Sequence, residues 1–426
     1  MTFWTAPRVY LTLRGLIALA NTIMFTTYAI YYVVELGLNP FQLVLIGTVL
    51  EITIVIFESI TGILADTYSR RLSIIIGMFM LGSAYIIEGS IPFFSESMMA
   101  LAIPLIAGVL FAEFIRGIGE TFLSGALQAW VTDEVGEDKI SSLFLKGTQF
   151  SRAAMVVGVA LSVGLASIAL NLPFLVGGVL FLILGILLIM TMKETSFIPE
   201  KIENRSPVRA MYSTFQDGIS VIKGRPLLIM VLFVTLFTGA AYEGFDRLWE
   251  AHFLQTFTLP ELGDLKPVVW FGIITLVGNV LSIIAIELFK KRFDTTNQQI
   301  VKKSLFWLTC CQVIGLIIFG LAGNFAVAIG CYWFLSILTA ISYPILDTWV
   351  NQNIDRKVRA TVLSFLSQSD ALGQSAGGPF VGAVGTRYTL RAAMVLSGIL
   401  LVPAAMVYGK IARKRKDFKA GENQSA

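Results

Sequence analysis

Apolar residues run through this chain in blocks rather than in stripes. Leu11–Val34, Leu72–Ile87 and Leu172–Met192 are three such blocks with almost no charge. A helix needs about 20 residues to cross ~30 Å of hydrocarbon. The strands of a membrane barrel would alternate apolar and polar positions, and these blocks do not. In lipid only a helix or a closed barrel satisfies every backbone group, so the pattern predicts an all-α membrane protein. Taken along the chain it predicts twelve transmembrane helices, at 11–34, 41–64, 72–91, 99–128, 144–168, 172–192, 227–254, 267–289, 304–323, 325–350, 360–385 and 389–409. The longest polar interval, Lys193–Arg225, separates the sixth from the seventh. The expected organisation is a six-helix bundle at 1–192, a cytoplasmic linker at 193–225, a second six-helix bundle at 226–409 and a basic cytoplasmic tail at 410–426.

Composition agrees. The chain is 56% hydrophobic and 14% charged, with mean hydropathy +0.77, whereas a soluble domain carries about 25% charged residues. The first apolar block is too long for a signal peptide, lacks a clear cleavage site and is followed by many more. Cys310, Cys311 and Cys331 fall in apolar runs without metal-ligand spacing, and His252 is the single histidine. No metal and no cofactor is therefore expected. The chain holds no G-x-x-x-x-G-K-[ST] loop, which argues against ATP-driven pumping. Nothing points to an enzyme or to nucleic acid.

Lysine and arginine set the orientation, because cytoplasmic loops collect them. With both termini inside, the outer loops hold only Lys266, Arg387 and Arg391 of the 32 basic residues, and Arg14, Arg116, Arg152 and Arg247 lie within helices. All the others fall on the cytoplasmic side. A single missed helix would invert every later loop and destroy this sorting.

The halves also repeat. Leu127-Gln-Ala-Trp-Val131 matches Leu346-Asp-Thr-Trp-Val350, and Gln149 meets Gln368 and Gly158 meets Gly377 at the same offset. After the second and eighth helices, Asp66-Thr-Tyr-Ser-Arg-Arg71 pairs with Glu287-Leu-Phe-Lys-Lys-Arg292. Two parallel six-helix repeats with a site between them near mid-membrane are a known transporter plan.

Gly62-Ile-Leu-Ala-Asp-Thr-Tyr-Ser-Arg-Arg71, followed by Ile74, resembles the signature loop of the major facilitator superfamily. Gly62, Leu64, Ala65, Asp66, Arg70, Arg71 and Ile74 match; Thr67 stands for a usual basic residue and Ser69 for a usual glycine. Helix four carries Phe114-Ile-Arg-Gly-Ile-Gly-Glu120, which is similar to the family's second motif and, with the run through Ala129, most like the macrolide-efflux branch of drug:proton antiporters. The Gly-Pro-rich stretch of helix five seen in many antiporters is absent from Ser151–Ser167, and a similar stretch, Gly373–Gly382, occurs in helix eleven. The resemblance spans the chain and implies the major facilitator fold, two pseudo-symmetric six-helix bundles. It also implies a cytoplasmic latch in which Asp66 holds the loop and Arg70 pairs with Asp133 or Glu134, with Gly62 permitting close helix approach. The alternative is that Arg70 and Arg71 only enforce topology.

Ionisable residues inside a membrane are costly and usually face the bundle interior. Glu113, Arg116 and Glu120 share one face of helix four, where Arg116 can pair with either acid. Helix two has Glu51 and Glu58, helix five opens with Gln149 and Arg152, and helix eleven holds Asp370. In helix seven the uncharged run Leu227–Tyr242 spans about 24 Å at ~1.5 Å per residue, too short to cross. Glu243, Asp246, Arg247 and Glu250 must then lie in the outer membrane region or line a wet cavity, beside Tyr242, Phe245 and Trp249. Acid beside aromatic suits a lipophilic cation; the bland alternatives are a helix cap at the interface and, for Glu113 with Arg116, a structural ion pair. These residues predict a proton-driven exporter of amphipathic compounds, expected as a monomer, multi-pass in a bacterial cell membrane, with substrate, protons and the bilayer as partners. An importer of sugars, peptides or other nutrients on the same fold is the first rival, and a non-transporting sensor the second.

The topology is directly testable. In a background lacking Cys310, Cys311 and Cys331, single cysteines at Ser95 and Ser425 should label from opposite sides of the membrane. Labelling from one side would exclude the arrangement.

Overall fold

A computed structural model describes residues 4–199, 226–261, 263, 266–292, 297–354 and 359–413. The linker beyond Pro199, the tail beyond Arg413 and the loop at 355–358 lie outside the described residues, and with them most of the basic residues assigned to the linker and tail. Each of the twelve expected spans has a helical counterpart among the described residues: α1 Ala6–Phe25, α2 Pro40–Thr67, α3 Arg70–Ser90, α4 in two pieces (α4a Leu105–Leu123, α4b Ala126–Val135), α5 Glu137–Ile168 and α6 Leu172–Thr191. The second series is α7 Pro226–Thr256, α8 Val268–Arg292, α9 Gln298–Leu321, α10 Phe325–Asn353, α11 Arg359–Arg387 and α12 Leu390–Arg413. The chain after α1 continues through Tyr28–Ile30 into a π-helical turn, Tyr31–Glu35.

Ten of these spans are long and apolar enough to cross a membrane. The two that are not, α4 and α11, carry part of the polar residues that the sequence marks for function, with others lying on α7. α4a places Glu113, Arg116 and Glu120 within Leu105–Leu123, and α11 holds Ser367, Gln368, Ser369, Asp370 and Gln374.

The helices obey the rules of a medium without water. Threonine hydroxyls fold back onto the carbonyl four residues earlier, as at Thr22 onto Ala18 (2.7 Å), Thr53 onto Val49 (2.7 Å) and Thr191 onto Leu187 (2.7 Å), which satisfies these hydroxyls within their own helix. Ser69 caps α3 by accepting from the Leu72 N–H at 2.9 Å, and Asn324 caps α10 through the Val327 N–H at 2.9 Å.

Helix four departs most from its expected bounds, beginning at Leu105 rather than 99 and reaching Val135. Pro104 bars helical geometry at Ile103, so Ser95–Ala100 is a separate short helix. Further on, Gly125 at φ +73° and Gly136 at φ +85° take up conformations that L side chains avoid. They set α4b off from α4a and from α5.

Contacts divide the chain into two compact units. One comprises Met1–Leu38, Val49–Arg209 and Glu261–Ile273, the other Asn39–Thr48, Ala210–Pro260 and Ile274–Ala426. Within the first, α1 packs on α5 and α6, and α3 on α6 and α4a. Within the second, α7 packs on α11 and α12, and α9 on α12 and α10. Adding six to each helix number converts one set of partners into the other, so the repeat read from short sequence matches extends to the packing of every one of these helices. The matched tryptophans, Trp130 and Trp349, are both fully buried.

A tight seam in the second unit is α7 against α11. A Cβ on Gly373 would stand 2.0 Å from the Leu236 carbonyl oxygen, one on Gly377 2.4 Å from the Ala240 Cβ, and one on Gly239 2.4 Å from the Asp370 carbonyl oxygen. Small residues let helix backbones meet where lipid offers no hydrophobic drive for association. Gly373→Ala should therefore lower the melting temperature of the purified protein in detergent, with a cost of about 1–3 kcal/mol typical of overpacking. Gly330→Ala, where a Cβ meets nothing within 4 Å, should leave it unchanged or raise it.

Candidate functional site

In the first unit the functional side chains come from α1, α2 and α4a. Arg116 donates two hydrogen bonds to Glu113, at 2.8 Å to Oε1 and 3.0 Å to Oε2, choosing this acid rather than Glu120. Glu113 is fully buried. The guanidinium lies over the Phe25 ring at 4.6 Å and faces the Tyr85 ring at 5.7 Å, a cation–π cage that adds to the ion pair. Beside it opens a cavity of about 520 Å³, lined by Arg14, Asn21, Leu50, Ile54, Arg116 and Glu120, with Ser124 and Gln128 at one end. Glu58 accepts a hydrogen bond from Ser124 at 3.2 Å. Gln149 and Arg152 are exposed on α5.

The second unit holds a counterpart. Arg247 donates to Glu243 at 2.9 Å, one turn apart on α7, and both side chains are largely buried. Gly47, which clusters with this unit, lies so close that a Cβ there would stand 1.9 Å from Glu243 Oε1 and 2.7 Å from Arg247 Nε. Asp246 lies within electrostatic reach of Glu243, Arg247 and Asp370. Asp370 accepts from Gln374 at 2.8 Å. Four of the predicted residues, Glu243, Asp246, Arg247 and Asp370, thus form one charged group.

The aromatic residues beside these acids are used differently from the expectation. Phe245 packs edge-on to Phe319 with centroids 5.4 Å apart, Trp249 lies 4.3 Å from Tyr332, and Phe253 meets Phe319 at 5.6 Å. Their faces are filled by α9 and α10 and serve the core. Tyr242 keeps its hydroxyl 3.1 Å from Thr339.

Where α2 gives way to α3, Arg70 bonds Asp66 at 3.2 Å and Asp133 in close contact. Arg71 donates its Nη2 to the Ile189 carbonyl at 2.8 Å and its backbone N–H to Glu194 at 3.1 Å. Ser69, which stands where a glycine is usual, caps α3 and donates to Glu194 at 2.6 Å. Glu134 instead accepts from the Thr195 hydroxyl at 2.6 Å and the Thr195 and Ser196 N–H groups at 2.5 and 2.8 Å, and the Trp130 indole donates to the Lys193 carbonyl at 2.8 Å. The close approach expected at Gly62 is not made, since a Cβ there would meet nothing within 4 Å.

Glu88 and His252 are buried ionisable groups that the sequence reading did not place in a site. Glu88, at the end of α3, is fully buried and accepts from the Tyr32 hydroxyl, while the Tyr31 hydroxyl donates to its carbonyl at 2.7 Å. The π-helical turn after α1 brings both tyrosines onto it. An acid directly after the apolar block Leu72–Ile87 was the available signal. His252 is fully buried in α7, with Thr256 at 3.0 Å and the Phe319 carbonyl at 3.4 Å.

A model of the Major Facilitator Superfamily matches residues 10–311. The chain belongs to that superfamily. The uncharacterized MFS-type transporter YxaM of Bacillus subtilis (strain 168) is 25% identical over 396 residues, covering 92% of this chain and 93% of the relative. The solved nucleoside transporter NupG superposes with TM-score 0.70 at 15% identity, covering 96% of this chain and 100% of that one. A bacterial homologue of the human lysosomal transporter Spinster superposes with TM-score 0.69 at 14% identity, covering 96% of each. At these identities the solved structures show the fold alone. As a member of the Major Facilitator Superfamily the protein is a multi-pass membrane transporter for small molecules. Arg70, which contacts Asp133 of α4b, lies in the stretch that resembles this superfamily's signature loop.

Glu134 yields a measurable pH dependence. Partial burial raises its pKa, but the hydrogen bonds from Thr195 and Ser196 outweigh that and hold it below the usual value. A carboxyl with a depressed folded-state pKa stabilises its contacts above the ordinary value of about 4.3, and this is lost as pH falls through the folded-state value. Corrected for intrinsic rates, hydrogen exchange at Thr195 and Ser196 should speed up on acidification below about pH 4.3, and Glu134→Ala should already show the fast rate at neutral pH. Protection that persists in the variant would remove Glu134 from the docking of this segment.

Proposed function

We propose that the protein is a proton-coupled exporter of amphipathic small molecules that works by alternating access. Its first bundle would be residues 1–192 and its second 226–409, with the linker 193–225 and both termini cytoplasmic. The observation that carries this reading is a buried carboxylate–guanidinium pair in each repeat, Glu113–Arg116 and Glu243–Arg247, each with another acid nearby, Glu120 or Asp246. Ion pairs within membrane helices are too costly to keep as decoration. Protonating the glutamate of such a pair discharges it and releases the arginine to seek another anion, which is the elementary event of coupling. The resemblance of helix four to the macrolide-efflux branch supports export. The loop bonded through Asp66, Arg70, Arg71 and Asp133, with Gly62, would act as the cytoplasmic latch that biases one conformation.

Nutrient uptake by the same machinery is the second reading, favoured by the amides of Asn21 and Gln128 in the first-unit cavity.

Proteoliposomes separate these alternatives. With an imposed proton gradient, the cationic dye rhodamine 123 should move against its own gradient and opposite to protons. At least one of Glu113→Gln, Glu243→Gln and Asp246→Asn should abolish this uphill movement while downhill flux continues. Full gradient-driven transport in all three variants would rule out these acids as the coupling groups. Movement of dye together with protons would favour uptake.

A further inference from the structure

The first-unit cavity has walls of two opposite characters. On α1, Arg14 and Asn21 stand seven residues apart and so share a face. On α4a, Arg116 and Glu120 stand four apart and both line the cavity. Arg116 has its charge met by Glu113. Arg14 does not: among the described residues its side chain has no acid at ion-pair distance, and its buried Nε has no hydrogen-bond partner. Glu120 also lacks an ion-pair partner among the described residues, because Arg116 turns to Glu113. The buried Asn21 Oδ1 is a further acceptor without a donor.

A cation and an anion thus line one cavity without pairing with each other, and the buried Arg14 Nε and Asn21 Oδ1 leave hydrogen-bonding needs that the protein itself does not meet. Ile17, Leu50, Ile54, Leu123 and Leu127 give the wall an aliphatic part, and Thr121, Ser124 and Gln128 are its remaining polar residues. Had Arg14 and Glu120 been there only to balance charge, an ion pair between them would have cost the fold less than two separate desolvated ions.

We infer that this cavity binds an amphipathic ampholyte, with a ligand carboxylate on Arg14, a ligand cationic nitrogen between Glu120 and Asn21, and an apolar body against the aliphatic wall. This rests on the transporter reading above and names the class of molecule the carrier holds. About 520 Å³ accommodates a fused-ring molecule of drug size. Arginine suits the carboxylate because its planar fork of donors matches the two oxygens.

Three xanthene dyes on one scaffold test it: rhodamine 110, with a free carboxylate and a cationic nitrogen system; rhodamine 123, its methyl ester; and fluorescein, which has the carboxylate without the cation. Binding to the purified full-length protein in detergent is read by fluorescence anisotropy. Rhodamine 110 should bind about tenfold tighter than either of the others, the worth of one charge-assisted contact. Arg14→Gln should bring rhodamine 110 down to the affinity of rhodamine 123 and leave rhodamine 123 unchanged, which also shows that the variant is folded. Glu120→Gln should bring it down to that of fluorescein. Arg14→Lys, which keeps the charge, should retain a preference for rhodamine 110. Equal affinity of the three dyes for the natural protein overturns the inference, as does a ranking untouched by both neutral variants or lost in Arg14→Lys. Gradient-driven transport with a flat ranking sinks this inference alone; the expected ranking without gradient-driven transport sinks the coupling mechanism and leaves the binding site.

Discussion

Everything in this molecule depends on how charge is tolerated where water is scarce. A bare guanidinium or carboxylate in hydrocarbon is costly, and the chain answers by placing opposite charges one helical turn apart on the same helix. Glu113 with Arg116 and Glu243 with Arg247 are local pairs, set by spacing of three and four residues. Local pairing keeps each ion neutralised by its own helix. The pair therefore does not rely on a neighbouring helix staying put, a property that alternating access as proposed above would use. It also leaves the neighbouring acid Glu120 without an ion-pair partner among the described residues.

The same economy governs the packing. The helix pairings of the first unit recur in the second after adding six to each number, although the sequence shares only short matches. What recurs is where bulk is excluded. In the first unit Gly82 and Gly178 bring α3 onto α6, and in the second Gly320 and Gly398 occupy the seam between α9 and α12. Contact between helices in lipid rests on shape, and shape can be kept by small residues at a few positions while the rest of the surface drifts.

Much of this was legible from the chain. Long apolar blocks gave helix number and order, because length and hydropathy are properties of each segment alone. The charged residues of α4 and α7 stood out for the same reason. What escaped depended on more than one segment. Whether Arg116 would turn to Glu113 or Glu120 is a rotamer choice decided by the Phe25 and Tyr85 rings, which come from α1 and α3. Tyr242, Phe245 and Trp249 looked like a ligand surface beside acids, yet Phe319 and Tyr332 from two later helices claim Phe245 and Trp249 for the core. Glu88 is held by tyrosines from a π-helical turn that no periodicity announces. The start of helix four was readable in principle, since Pro104 forbids the earlier start, but hydropathy alone runs through it.

The break at Gly125 has a mechanical meaning. The short segment α4b carries Gln128 toward the cavity and, on its next turns, Trp130, Asp133 and Glu134 toward Lys193, Arg70 and Thr195. Glycine on both sides leaves this rod free of the stiffness of α4a and α5. One piece nearly three turns long (~15 Å at ~1.5 Å per residue) thus touches the cavity with one end and is bonded to the start of α3 and the segment after α6 by the other. A rotation of this piece about Gly125 would move both ends together, so a signal between them would need no chain of intermediate residues.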